Sequence, residues 1–93
     1  MATKIVMYTG NNCGKCKRAK EMFARLPEHI EVELVEKNVD ENEKYMYHLK
    51  EVIESNTLPT FIYHEHDKNG NLKRHVLRGF DENIGKIMEV LGL

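Results

Sequence analysis

Cys13 and Cys16 are the residues best suited to carry chemistry, and they are the chain's two cysteines. Two residues separate them, and they stand where a strand-like run ends and a helix-like run begins. From such a position one sulfur can attack a disulfide while the other resolves the resulting mixed disulfide. The spacing therefore predicts thiol–disulfide exchange, with metal binding as a different use of the same residues.

Cys13 is expected to be the nucleophile because it lies at the opening of a helix. Unpaired backbone N–H groups and the positive end of the helix dipole favour a thiolate there. Lys15, Lys17 and Arg18 add positive charge within one turn. Cysteines in such surroundings have pKa values lowered from about 8.5 to roughly 3.5–7.5. Lys15 is also a candidate for contact with a substrate.

Cys16 lies one turn further along, on the helix face that also carries Ala19 and Phe23. Burial on this apolar face would shield the Cys16 sulfur and keep it protonated until it attacks a mixed disulfide. Cys16 is therefore predicted to be the resolving thiol.

Composition indicates one globular domain over residues 1–93, with 41% hydrophobic and 31% charged residues. The net charge of -1 favours neither a nucleic-acid nor a membrane partner. The apolar runs are too short for a transmembrane helix or a secretory signal. We expect a cytoplasmic monomer, and in that compartment paired cysteines are more often catalytic or metal-binding than structural.

Strand-like and helix-like patterns alternate along the chain in the order βαβαββα. The right-handed crossover rule makes the first two strands parallel, and a short turn at residues 67–70 makes the last two antiparallel. This predicts an α/β fold, a four-stranded mixed sheet with three helices on its two faces. The strands are predicted at residues 4–9, 30–39, 60–64 and 72–77, and the helices at 13–26, 40–55 and from 81 onward.

Capping residues and apolar faces predict the second and third helices. Asp40 is the expected N-cap of the second helix, with Glu43 three residues later as in a capping box. The third helix is expected to begin at Asp81. The predicted buried faces are Tyr45, Met46, Leu49, Val52 and Ile53 in the second helix, and Ile84, Ile87, Met88 and Leu91 in the third.

With these elements, three short motifs give the chain its resemblance to glutaredoxins, which have the thioredoxin-like βαβαββα fold. Tyr8-Thr9 precedes the cysteines, Thr57-Leu58-Pro59 matches a Thr-x-Pro motif, and Arg78-Gly79-Phe80-Asp81 matches a Gly-Gly-x-Asp motif. The chain resembles the family over essentially its whole length. It looks most similar to the short phage and NrdH-type redoxins, which share the Gly-Phe pair.

The resemblance implies a dithiol thiol–disulfide oxidoreductase with no tightly bound cofactor and with glutathione as co-substrate. It implies a cis peptide before Pro59, so that Leu58 offers free backbone groups to a substrate. In the family this segment holds the cysteinyl part of glutathione, and the start of the last helix holds its γ-glutamyl end. The implied substrate-binding residues, with Lys15, are Thr57, Leu58, Pro59, Gly79, Phe80, Asp81 and Glu82.

Two departures from the family pattern bear on the reductant. Gly10 stands where glutaredoxins usually have a lysine that grips a glutathione carboxylate, and Arg78 replaces the first glycine of the later motif. Glutathione and thioredoxin reductase therefore both stay open as the source of electrons. The expected acceptor is a protein disulfide, with that of ribonucleotide reductase implied by the NrdH-type resemblance.

Three alternatives use the same residues differently. A zinc site would join the cysteines to His64 and His66, but strand geometry puts these histidines roughly 15 Å away. Some glutaredoxins without proline after the first cysteine bridge a [2Fe–2S] cluster through that cysteine and glutathione. A noncatalytic thioredoxin-fold binding module is the third alternative, and the retained cysteine pair argues against it. We expect no metal in the site.

Overall fold

The computed structural model describes residues 3–93, in which four strands alternate with three helical segments. The second helix continues into a π-helical turn at His48–Val52, and a 3₁₀ turn at Asp81–Asn83 leads into the last helix. The strands are β1 (Thr3–Thr9), β2 (Val32–Asn38), β3 (Thr60–His66) and β4 (Leu72–Arg78); the helices are α1 (Gly14–Ala24), α2 (Glu43–Tyr47) and α3 (Ile84–Val90).

The strands form one mixed sheet in the order β2-β1-β3-β4. β1 and β2 are parallel, whereas β3 runs antiparallel to both β1 and β4. Tyr8 pairs with Thr60, and Thr60 pairs with Arg78. The end of β1, the start of β3 and the end of β4 therefore meet at one edge of the sheet. The three motifs named above follow or precede these strand ends and are brought together there.

Apolar side chains cover both faces of the sheet, because successive strand residues point to opposite faces. On one face, Ile5, Met7 and Phe61 pack with residues of α1 and α3. On the other face, Tyr8 and Ile62 pack with residues of α2. The predicted α/β architecture, with a four-stranded mixed sheet and helices on both faces, is confirmed.

The predicted N-cap of α2 was wrong. Asn42 caps the helix, since its side-chain oxygen accepts a hydrogen bond from the Lys44 N–H at 2.9 Å. The Asp40 carboxylate instead accepts the backbone N–H of Asn11 at 2.8 Å, in the loop before the cysteines. A carboxylate can satisfy donors that are distant in sequence, so the capping pattern alone did not identify its partner.

The predicted buried face of α2 also needs one correction, at Val52. The Ile53 N–H donates to the His48 carbonyl five residues earlier, which widens the last turn beyond the α-helical period. Leu49 and Ile53 remain buried, but Val52 is 48% exposed. A π-helical turn rotates residues out of the 3.6-residue pattern on which the prediction depended.

Element boundaries otherwise differ by a few residues. α1 ends at Ala24 rather than at residue 26, and β2 begins at Val32 because the Ile30 N–H donates to the Pro27 carbonyl in a turn. β3 extends to His66, two residues beyond its predicted end. In α3 the predicted apolar face is buried at Ile87, with Leu91 buried just past its end. None of the helices within residues 3–93 is long and apolar enough to cross a membrane.

Candidate active site

Cys13 and Cys16 are joined by a disulfide at the start of α1, with their Cα atoms 5.2 Å apart. Cys13 is the N-cap residue, with extended backbone angles, and its carbonyl accepts the Lys17 N–H at 3.2 Å. Its sulfur accepts the backbone N–H of Cys16 at 3.1 Å. A cysteine sulfur thus occupies the place of the side-chain oxygen that usually caps a helix.

The two sulfurs differ in accessibility. Cys13 is partly exposed, whereas Cys16 is only 1% exposed and shares the buried face of α1 with Ala19 and Phe23. The face predicted from the sequence is the one that is buried. A molecule in solution can therefore reach the Cys13 end of the bond more easily than the Cys16 end.

Asp81 connects α1 to the turn before α3. Its carboxylate accepts a hydrogen bond from the Arg18 guanidinium at 3.1 Å, and the Lys15 ammonium lies 4.0 Å away. Asp81 was predicted to start the last helix, and the 3₁₀ turn does begin there, but its side chain makes no capping hydrogen bond. The structure thus brings Lys15 and Asp81, both predicted binding residues, to one side of the disulfide.

The segment Thr57-Leu58-Pro59 reaches the same edge of the sheet, and its Leu58–Pro59 peptide bond is cis. A ring of hydrogen bonds lies behind it. The Thr57 N–H donates to the Ser55 hydroxyl at 3.3 Å, the Ser55 and Thr60 hydroxyls are 2.8 Å apart, and the Thr60 hydroxyl donates to the Thr57 carbonyl. Ser55 and Thr60 are buried. The ring leaves the segment fixed while Thr57 stays exposed.

Gly10 lies directly against this segment. A Cβ atom placed on Gly10 would be 2.9 Å from Leu58 Cδ1 and 3.1 Å from a carboxylate oxygen of Asp40. A side chain at position 10 would therefore require Leu58 to move. The lysine expected at this position in glutaredoxins is replaced by a residue that lets Leu58 close over the loop.

The turn at residues 79–82 is tied to the same segment, because the Gly79 N–H donates to the Pro59 carbonyl at 2.9 Å. Gly79 has a φ of +97°, and a Cβ there would lie 2.5 Å from carboxylate atoms of Glu82. The positive φ favours glycine, whereas the exposed Glu82 side chain is free to move aside. The Phe80 ring is buried in the core beside Phe61, with ring centroids 6.4 Å apart. Phe80 can therefore offer only its backbone to a ligand.

Comparison with known proteins agrees with this geometry. The sequence profile of the glutaredoxin family matches residues 5–66, more than half of the chain. The chain belongs to the glutaredoxin family. Its family and its paired cysteines together support a thiol–disulfide redox function. No curated protein matched the sequence.

Solved structures place this glutaredoxin among thioredoxin-like folds. It is similar to the thioredoxin-like protein BC3987, with 25% sequence identity, coverage of 94% of this chain and 99% of that protein, and a TM-score of 0.68. It is also similar in fold to a thioredoxin of Plasmodium falciparum, with 23% identity, coverage of 97% of this chain and 71% of that one, and a TM-score of 0.66.

Sequence reasoning missed two groups that position this glutaredoxin's site. Buried Thr9, at the end of β1, donates to the Glu36 carboxylate at 2.7 Å, and Lys20 of α1 donates to the same oxygen at 3.2 Å. The hydrogen bond from Thr9, with that from Lys20, lowers the pKa of Glu36. Asn83 donates to the carbonyls of Arg78 and Gly79 at 2.9 and 3.0 Å. The Tyr8-Thr9 motif did not point to Glu36 as the partner of Thr9, and Asn83 lies in no motif.

The structure does not bring the histidines of the zinc alternative to the cysteines. His64 and His66 are exposed on β3, which runs away from the edge that holds the disulfide. Across residues 3–93, no group of three or more histidine, cysteine or acidic side chains is arranged to hold a metal ion.

Proposed function

We propose that this glutaredoxin reduces protein disulfides with the Cys13 and Cys16 thiols. The observation that carries the proposal is the asymmetry of the pair, in which the Cys13 sulfur is accessible and accepts a backbone N–H while Cys16 is buried. A hydrogen bond from an N–H group and the positive helix end both favour negative charge on the sulfur that receives them. Cys13 is therefore the attacking thiolate in the reduced protein.

In the first step, the Cys13 thiolate attacks one sulfur of the target disulfide. A bond forms between Cys13 and that sulfur, the target disulfide breaks, and the other target sulfur leaves as a thiolate. The Cys16 N–H and the positive end of α1 stabilise the charge on Cys13 before the attack. The product is a mixed disulfide between Cys13 and the target.

In the second step, Cys16 loses its proton and attacks the Cys13 sulfur. This forms the Cys13–Cys16 disulfide and releases the second target sulfur as a thiolate. The target gains two electrons from the dithiol and two protons, one from Cys16 and one from solvent. With the Cα atoms 5.2 Å apart, the two residues are within the ordinary range for a disulfide.

The Leu58 backbone is the proposed docking element for the target chain. Thr57, Leu58 and Pro59 precede β3 at the end of the sheet where β1 leads into the cysteine loop, and the buried hydroxyl ring behind them limits their movement. A backbone segment held in one conformation can pair with the backbone of a bound peptide at small entropic cost. The turn at residues 79–82 is the proposed site for a γ-glutamyl group, with its backbone and Asp81 as contacts.

The proposed setting is the cytoplasm, with a monomer that takes electrons from glutathione or from thioredoxin reductase. Gly10 supports thioredoxin reductase, because it supplies no ammonium group to grip a glutathione carboxylate. Ribonucleotide reductase remains the proposed class of acceptor by family resemblance.

The decisive test uses variants of the two cysteines with a small disulfide-bonded protein as substrate. Cys16→Ser should accumulate a mixed disulfide with the substrate, detected by mass under nonreducing conditions, and Cys13→Ser should accumulate none. A mixed disulfide through Cys16 that accumulates in Cys13→Ser as fast as the one in Cys16→Ser would overturn the assignment. The electron donor is identified by comparing two turnover rates of the wild type. One assay contains NADPH with thioredoxin reductase, and the other contains NADPH with glutathione and glutathione reductase.

A further inference from the structure

Helix α1 carries a strong excess of positive charge around the disulfide. It contains four basic residues and one acidic residue, Glu21, while the whole chain has a net charge of -1. All four basic side chains are exposed. The basic residues of α1 are Lys15, Lys17, Arg18 and Lys20.

Two of these cations form close ion pairs within the protein, and a third lies at the limit of ion-pair distance. Arg18 binds Asp81 at 3.1 Å, and Lys20 binds Glu36 at 3.2 Å. Lys15 lies at 4.0 Å from the oxygen of Asp81 that Arg18 already occupies. Lys17 makes no ion pair with any residue in the described part of the chain. Uncompensated positive charge therefore remains beside the reactive bond.

Lys17 faces the open side of the active site. A cleft of about 440 Å³ runs beside the disulfide and is lined by both cysteines, Lys17, Lys20 and the loop before α1. Among residues 3–93, no aspartate or glutamate lines this cleft. Of the two lysines in its lining, Lys20 is paired with Glu36. The Asp40 carboxylate adjoins the cleft but is held by the Asn11 N–H. Lys17 is therefore the cation that a substrate entering the cleft meets without a close carboxylate partner.

The geometry points to a specificity surface made of Lys15 and Lys17, which selects protein disulfides flanked by aspartate or glutamate. This inference rests on the proposed function and names the substrate class of the same site. The proposed occupant of the cleft is an acidic polypeptide segment next to the target disulfide. Complementary charge accelerates encounter and orients the target sulfur toward Cys13, and exposed charges act in this way mainly at low ionic strength.

The test uses three synthetic peptides with one intramolecular disulfide each, identical except for flanking residues that are acidic, neutral or basic. The pre-reduced protein is mixed with each peptide, quenched with acid and analysed by chromatography. No reductase is involved, so the second-order rate constant reports the exchange itself. In 20 mM salt the acidic peptide should react about tenfold faster than the basic one, and this ratio should fall toward about 2 in 0.5 M salt.

Variants test whether Lys17 carries the preference. Lys17→Glu should lower the acidic-to-basic ratio at least about threefold, whereas Lys17→Arg should keep it. The matched control is Lys68→Glu, an identical charge change at an exposed residue of the β3–β4 turn, roughly 20 Å along the strand from the active-site edge. Lys68→Glu should leave the ratio at the wild-type value. Because each ratio is taken within one variant, a change in thiolate reactivity cancels.

The outcomes separate this inference from the proposed function. Equal rates for the acidic and basic peptides, with the neutral peptide still reduced, would overturn the inference and leave the oxidoreductase intact. An equal loss of preference in Lys68→Glu and Lys17→Glu would also overturn it, because net charge alone would then explain the effect. Failure to reduce any of the three peptides would overturn both.

Discussion

Thr60→Val should destabilise the protein through the hydroxyl ring behind the Thr57-Leu58-Pro59 segment. The substitution keeps the shape of a fully buried side chain and removes its hydroxyl. That hydroxyl bonds to the Ser55 hydroxyl and to the Thr57 carbonyl. At about 1 kcal/mol for each hydrogen bond, the free energy of unfolding should fall by about 2 kcal/mol. For a domain of this size, the melting temperature should fall by roughly 8–16 °C.

A double-mutant cycle tests whether the ring acts as a unit. Ser55→Ala also removes two of the three hydrogen bonds, and the bond between the two hydroxyls is common to both variants. The double variant should therefore lose about 1 kcal/mol less than the sum of the single losses. Urea unfolding followed by circular dichroism measures each free energy.

The control for this cycle is Thr57→Val. The Thr57 side chain is exposed, and only its backbone takes part in the ring, so its replacement should change the free energy of unfolding by less than about 0.5 kcal/mol. A Thr60→Val protein as stable as the wild type, or strict additivity with Ser55→Ala, would refute the claim that this ring fixes the segment.

Three further predictions concern stability. The Tyr63 hydroxyl is buried without a hydrogen-bond partner within residues 3–93. Tyr63→Phe should therefore raise the free energy of unfolding by up to about 1 kcal/mol. A lower free energy of unfolding for this variant, measured in urea, would contradict the prediction. Glu54 has a φ of +57° just after the π-helical turn, where glycine is less strained. Glu54→Gly should therefore raise the free energy of unfolding by about 1 kcal/mol, seen as a higher melting temperature. The pKa of Glu36 in the folded protein lies below its ordinary value of 4.5, because of the hydrogen bond from Thr9 first and of Lys20 second. This stabilises the folded protein at pH values above 4.5, and the stabilisation is lost as the pH falls through the pKa of the folded state. Glu36→Gln should therefore lose less stability than the wild type on acidification, and parallel unfolding curves from pH 6 to about pH 3 test this.

The sequence was sufficient for the architecture and the reactive pair because both depend on local patterns. Alternating apolar residues predicted the strands. The spacing of Cys16, Ala19 and Phe23 predicted the buried side of α1, and the structure confirms that this side is buried. The turn at residues 67–70 gave the antiparallel pairing of β3 and β4. These features depend on residues close in sequence.

The sequence was insufficient where distant residues decide the contacts. Asp40 had a capping pattern, yet its carboxylate binds the Asn11 N–H across 29 positions. The spacing of apolar residues in this helix does not indicate the π-helical turn that exposes Val52. The absence of a lysine at position 10 was visible in the sequence, but the close approach of Leu58 to Gly10 appears only once β1 and β3 are side by side.

The pH dependence of alkylation of Cys13 shows whether the start of α1 stabilises its thiolate. The measurement uses Cys16→Ser, which retains the backbone N–H that bonds to the Cys13 sulfur. The rate of reaction with iodoacetamide, followed by mass spectrometry, reports the thiolate fraction. We expect a midpoint at least one pH unit below that of free cysteine, which ionises at about 8.5. A midpoint equal to that of free cysteine would contradict the assignment of Cys13 as a thiolate stabilised by the start of α1.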